Sequence, residues 1–280
     1  MGADCFSGKE LVKAMTYFAT AWAIGPIIGP VIGGYLQHYF NWQANFTFFS
    51  IYGTVIFIYA FFALPETNLN LSSAKPKEVG RSVIAIISHP VFMSGACMLA
   101  FAYSVLVLFN VIGPFLIQGV LKYSVIVYGQ LALLLGFGYF FGTFSNRFLM
   151  HKFESMMLVR FAIILGFIAS ISMLVLGIAI KINLYIILIP VLIQLYVCGL
   201  IFPNTLAKIV SLFPRQAGTA NALYGAIICL GVFFMTLFAA CLKTDTQIPM
   251  SLTYIGLFFG CLLLFLLMQK LDKNISISFK

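Results

Sequence analysis

The side chains that could move protons, hold metals or attack bonds stand far apart in this sequence. Its seven acidic residues (Asp4, Glu10, Glu66, Glu78, Glu154, Asp245, Asp272) and three histidines (His38, His89, His151) lie between long apolar runs or at their ends. There is no HExxH pair, no GxSxG elbow and no phosphate-binding loop. The six cysteines (Cys5, Cys97, Cys198, Cys229, Cys241, Cys261) show no CxxC spacing, so they read as thiols, not as a metal site or a disulfide framework. No catalytic residue, metal or cofactor is implied. No Asp, Glu or His is central to a run; the uncharged polar groups within the runs include Tyr103, Asn110, Gln194 and Asn221. An amide at mid-membrane is costly unless it meets a partner or a wet cavity. Tyr103 and Asn110, seven apart, share a helix face. These four residues are candidates for lining a substrate cavity. The alternative for each is a hydrogen bond that only holds helices together.

The elements that would position them are membrane helices. The chain is 62% hydrophobic and 8% charged, with mean hydropathy +1.07, which describes an all-α polytopic membrane protein. Eight spans are predicted, at 12–36, 45–64, 91–113, 126–147, 157–179, 184–206, 218–241 and 250–269. The net charge of +9 does not indicate nucleic acid, because the basic residues sit in short gaps between spans. Alternate gaps hold Lys9, Lys13, Lys75, Lys77, Arg81, Arg147, Lys152, Arg160, Lys208, Arg215, Lys270, Lys273 and Lys280; the opposite gaps hold only Lys122, Lys181 and Lys243. That asymmetry places both termini in the cytoplasm. The longest gap is polar and rich in turn formers, with a short surface helix expected around Val79–Ile87. It divides the chain into two spans (1–64), a cytoplasmic linker (65–89) and six spans (90–280). Many transporters join two six-span halves by one such loop, so four spans would be missing upstream.

The first span holds the most specific pattern. Gly25, Gly29 and Gly33 recur every four residues, with Pro26 and Pro30 between them and Gly34 following. In water, each glycine would cost a helix about 1 kcal/mol and each proline about 3 kcal/mol relative to alanine. In a bilayer, small residues let backbones approach and neighbours satisfy the carbonyls that proline frees. The stretch reads as a kinked, grooved helix built for close packing. The fourth span is also glycine-rich, at Gly129, Gly136, Gly138 and Gly142. On spacing alone its Gly138/Gly142 pair could pack on the first-span groove or on another helix.

These residues resemble the major facilitator superfamily. Gly25-x-x-x-Gly29-Pro30-x-x-Gly33-Gly34 is similar to its antiporter motif, carried there on the fifth helix. Leu64-Pro65-Glu66-Thr67 resembles the end of the sixth helix in its drug:proton antiporters. Gly142-x-x-x-Asn146-Arg147 with Lys152 looks like the second copy of the cytoplasmic loop motif, with Asn in place of Asp. Pro114-Phe115-Leu116 and Arg215-x-Ala217-Gly218-Thr219-Ala220 resemble the Bcr/CflA drug-resistance type. The resemblance implies that the eight spans correspond to helices 5–12 of a twelve-helix fold. It implies a gating role for the antiporter motif and assigns Gly138 and Gly142 as its packing partner. It gives Asn146, Arg147 and Arg215 to cytoplasmic loop motifs. The expected function is proton-coupled export of drugs or small metabolites by alternating access, from a bacterial inner membrane. The expected partners are lipid, a small-molecule substrate, protons and a missing N-terminal half. The rival reading is a non-transporting remnant or accessory subunit.

Overall fold

The computed structural model describes residues 28–63, 76–180, 182–213 and 216–278. Its described elements are helices: α1 (28–39), α2 (Trp42–Ala63), α3 (Pro76–Ile87), α4 (Pro90–Pro114), α5 (Val125–Leu149), α6 (Ser155–Ala179), α7 (Leu184–Val210), α8 (Ala217–Ala240) and α9 (Ile248–Ser278). A π-helical turn, Phe115–Val120, extends α4. Among the described residues, seven helices are long and apolar enough to cross a membrane: α2, α4 with its extension, and α5 to α9. The predicted linker helix is α3. The predicted first span lies largely outside the described residues.

The chain forms two compact units. Of the described residues, one holds 28–63 and 124–136; the other holds those of 76–123 and 137–278. In the first unit, α1 ends at an aromatic turn. Asn41 caps α2 by accepting a bond from the Ala44 amide at 2.9 Å, which satisfies one of the donors a helix start leaves free. Tyr35, Tyr39, Phe40 and Trp42 are exposed around this turn, in the manner of aromatic side chains at a membrane–water boundary. No described residue of α2 is buried.

In the second unit, α4 is the axis. It packs against α7, α8 and α9, while α6 packs against α7 and α9. Pro90 takes the first helical position, where a missing N–H costs nothing, and His89 Nδ1 accepts from the Phe92 amide at 3.4 Å. The sequence predicts an end at residue 113, yet the helix continues through Val120. Pro114 has no N–H, and the chain beyond it bonds five residues back, as in Leu121 N to Leu116 O at 2.9 Å. The proline therefore changes the helix register without ending it.

Small residues set the close approaches within this unit. A side chain at Gly166 of α6 would collide with the ring of Phe258 on α9, and Phe258 is fully buried. Gly166→Ala should destabilise the bundle by about 1–3 kcal/mol, read as a lower Tm in detergent. The buried hydroxyls of Ser94 and Ser104 each bond a carbonyl of their own helix, which satisfies them without another helix.

Candidate functional site: two glycine junctions on one helix

The α1 helix meets the first half of α5 backbone to backbone. A Cβ at Gly129 would lie 2.9 Å from the Pro30 carbonyl oxygen and 3.5 Å from Val31 Cα. A Cβ at Gly34 would lie 3.2 Å from the Val125 carbonyl oxygen and 3.8 Å from Gly129 Cα. Neither glycine can carry a side chain without moving a backbone. The other predicted motif residues differ. Gly33 faces the Asn45 side chain at 3.3 Å, and among the described residues nothing lies within 4 Å of a Cβ at Gly29. Gly25 lies outside the described residues.

Among the described residues, Gly138 and Gly142, assigned by resemblance to pack on the first span, meet a different helix. A Cβ at Gly138 would lie 2.8 Å from a Leu192 methyl. One at Gly142 would collide with the Tyr196 carbonyl and lie 3.2 Å from Gly199 Cα. Their partner is α7. The residue that meets α1 is Gly129, one turn into α5. Gly138 and Gly142 sit nine and thirteen residues past Gly129, two to four turns further along the axis.

The α5–α7 junction is tied by polar groups as well. Pro203 has no N–H, which frees the Gly199 carbonyl of its own helix. Thr143 Oγ1 approaches that carbonyl at 3.4 Å while bonding Tyr139 O at 3.2 Å. Ser145 Oγ and Tyr196 Oη are 2.9 Å apart. One turn further, Asn204 Nδ2 donates to Asn146 Oδ1 at 2.7 Å and to Leu200 O at 2.8 Å. Both amides are nearly fully buried. Asn146, which stands where the resembling motif has Asp, thus joins two helices as a neutral acceptor. Arg147 is exposed, and Arg215 lies outside the described residues. Asn204→Leu removes the donor and leaves Asn146 Oδ1 buried without it; the expected cost is about 1–3 kcal/mol, measured as a shift in thermal unfolding. At the same end, Lys208 Nζ reaches Asp272 Oδ2 at 2.8 Å, joining α7 to α9. Both side chains are partly exposed, so a double-mutant cycle should give a coupling of at most about 1 kcal/mol, weaker in high salt.

The cavity candidates divide. Gln194 is fully buried between α6 and α7, donating to Ser170 Oγ at 3.1 Å. It is an interhelical amide, which corrects its assignment to a cavity. Tyr103 is half-buried beside the cluster formed by Phe92, Leu99 and Ile228. Asn110 is exposed; Asn221 is exposed and donates to Ala217 O on its own helix at 2.9 Å. Among the described residues no three His, Cys, Asp or Glu side chains gather as metal ligands.

Sequence reasoning missed Gly199 and the Lys208–Asp272 pair. Gly199 had a signal, because a proline four residues later exposes its carbonyl. The ion pair had none, because 64 residues separate its members.

Comparison with known proteins agrees with this arrangement of apolar helices. The chain is 25% identical over 253 residues to a bicyclomycin resistance protein homolog of Haemophilus influenzae, covering 89% of this chain and 63% of that protein. It is 25% identical over 257 residues to an uncharacterized transporter of Rickettsia felis, and 26% identical over 255 residues to one of Rickettsia bellii. In both, 88% of this chain and 63% of the relative are covered. The chain therefore spans less than two thirds of these relatives. The model of the Major Facilitator Superfamily matches residues 1–236, most of the length, and the chain belongs to that family of transporters.

Proposed function

We propose that this chain is the larger part of a drug or small-metabolite exporter of the bacterial inner membrane, working by alternating access with proton exchange. The observation that carries the reading is the contact of Pro30 and Gly34 with Val125 and Gly129. It seats the helix of the antiporter-like motif on α5 with no side chain between the backbones, the geometry a seal against leakage requires. The name of the Haemophilus relative, a resistance protein homolog, supports drug export. The distribution of Lys and Arg supports cytoplasmic termini. On this reading, residues 1–64 are the last two helices of an N-terminal bundle, 65–89 the linker and 90–280 the C-terminal bundle. Tyr103, Asn110 and Asn221 remain cavity candidates. No Asp, Glu or His lies at the centre of a predicted span, so the coupling proton would be handled at a membrane edge or by helices upstream.

The test is transport in proteoliposomes under an imposed pH gradient, with bicyclomycin and a fluorescent apolar cation as substrates. The expected result is flux that collapses with the gradient. Flux indifferent to the gradient would contradict proton exchange. A second reading is favoured by α2, none of whose described residues is buried: the chain alone moves nothing and acts as a remnant or accessory subunit. Gradient-driven flux from these 280 residues alone would refute it.

A further inference from the structure

The second unit carries a groove of about 500 Å³ that transport by the glycine junctions does not use. Its walls are Met235, Phe238 and Leu242 of α8 and its following loop, and Pro249, Leu252 and Thr253 of α9. Phe101 of α4 stands at one end. The floor is open at Gly256, where a Cβ would meet nothing within 4 Å. One turn on, at Gly260, the Phe101 ring fills the equivalent notch, 3.1 Å from where a Cβ would be. The groove is therefore closed at one end by an aromatic ring and open along its length.

Its lining is apolar by construction. The one hydroxyl in the wall, Thr253 Oγ1, donates to Pro249 O of its own helix at 2.8 Å, so it offers no hydrogen to a guest. Phe238 and Leu252 are each about half exposed, which opens the groove sideways. At the end away from Phe101 the wall runs into Leu242, and the loop continues Lys243-Thr244-Asp245 with Lys243 and Asp245 both exposed. A long apolar trench that ends beside one cation and one anion matches a molecule with a hydrocarbon tail and a zwitterionic head. A polar solute would find no partner along the walls, and a bare hydrocarbon would leave the loop charges unused.

We propose that this groove is a binding site for a zwitterionic phospholipid, with one acyl chain between α8 and α9 over Gly256 and the phosphate beside Lys243. Lipid on a convex helix surface exchanges freely. An acyl chain in a groove gains packing contacts that a convex helix surface does not offer, and is retained when the protein is extracted.

Native mass spectrometry of the intact 280-residue chain in mild detergent, titrated with dioleoyl phosphatidylethanolamine, tests this. Gly256→Trp, which fills the open floor, should weaken binding by at least about tenfold. Lys243→Gln should weaken it by up to about fivefold, the worth of one exposed ion pair, and should abolish the preference for the phospholipid over dioleoylglycerol. Leu263→Trp, on the same helix but outside the groove, should leave binding unchanged. If Gly256→Trp does not fold, Lys243→Gln decides alone. Wild-type affinity in the folded variants, or equal binding of dioleoylglycerol and phosphatidylethanolamine by the wild type, would overturn the proposal.

Discussion

Gly142→Leu and Gly199→Leu should each destabilise the protein by more than about 3 kcal/mol, the largest stability losses expected in the chain. The two glycines face each other where α5 crosses α7. A Cβ at Gly199 would collide with the Tyr139 carbonyl and lie 2.8 Å from the Thr143 nitrogen. A Cβ at Gly142 would collide with the Tyr196 carbonyl. At Gly166 the obstacle is one side-chain ring, but here the obstacles are backbone atoms of hydrogen-bonded helices, which can yield only by separating the helices. Separation would also break the Ser145–Tyr196 and Asn146–Asn204 contacts. Gly225→Ala is the control: nothing lies within 4 Å of its Cβ, and relief of helix-interior glycine should stabilise by about 0.4–1 kcal/mol. Thermal unfolding in detergent should move in opposite directions for the two kinds of variant. A Gly199→Leu protein as stable as wild type would show that α5 and α7 do not meet at this point.

The second large effect concerns activity. Gly129→Leu should reduce efflux by about a hundredfold while leaving membrane insertion intact. The bulk it adds is opposed by the Pro30 carbonyl and Val31 Cα, so α1 and α5 cannot close. A cost of about 3 kcal/mol, borne only by the conformation in which these helices touch, depopulates that conformation about a hundredfold. Gly29→Leu should be tolerated, because among the described residues nothing lies within 4 Å of a Cβ at that position. The two substitutions add the same side chain on facing helices, so their difference isolates the junction from general effects of bulk.

Helix number and position were legible along much of the sequence because hydrophobic run length reports directly on bilayer thickness. The predicted 157–179 and 184–206 spans lie within a few residues of Ser155–Ala179 and Leu184–Val210. Glycine spacing was legible as a packing device but not as a pairing. A GxxxG pattern gives a face of one helix and leaves open which neighbour stands there; among the described residues Gly138 and Gly142 meet α7, and most of the predicted first span lies outside them. Gln194 was misread for a related reason. Its burial depends on Ser170, 24 residues away on α6, and only folding brings the two together. The Phe115–Val120 turn was missed because proline usually stops a helix, and a π-helical continuation leaves no mark in hydropathy.

The measurement that bears most directly on the central claim is efflux from cells expressing wild-type, Gly129→Leu or Gly29→Leu protein at equal membrane abundance. The expected result is export by the wild type and by Gly29→Leu, with loss in Gly129→Leu. Export by Gly129→Leu equal to that of the wild type would contradict a seal formed by Pro30, Gly34 and Gly129.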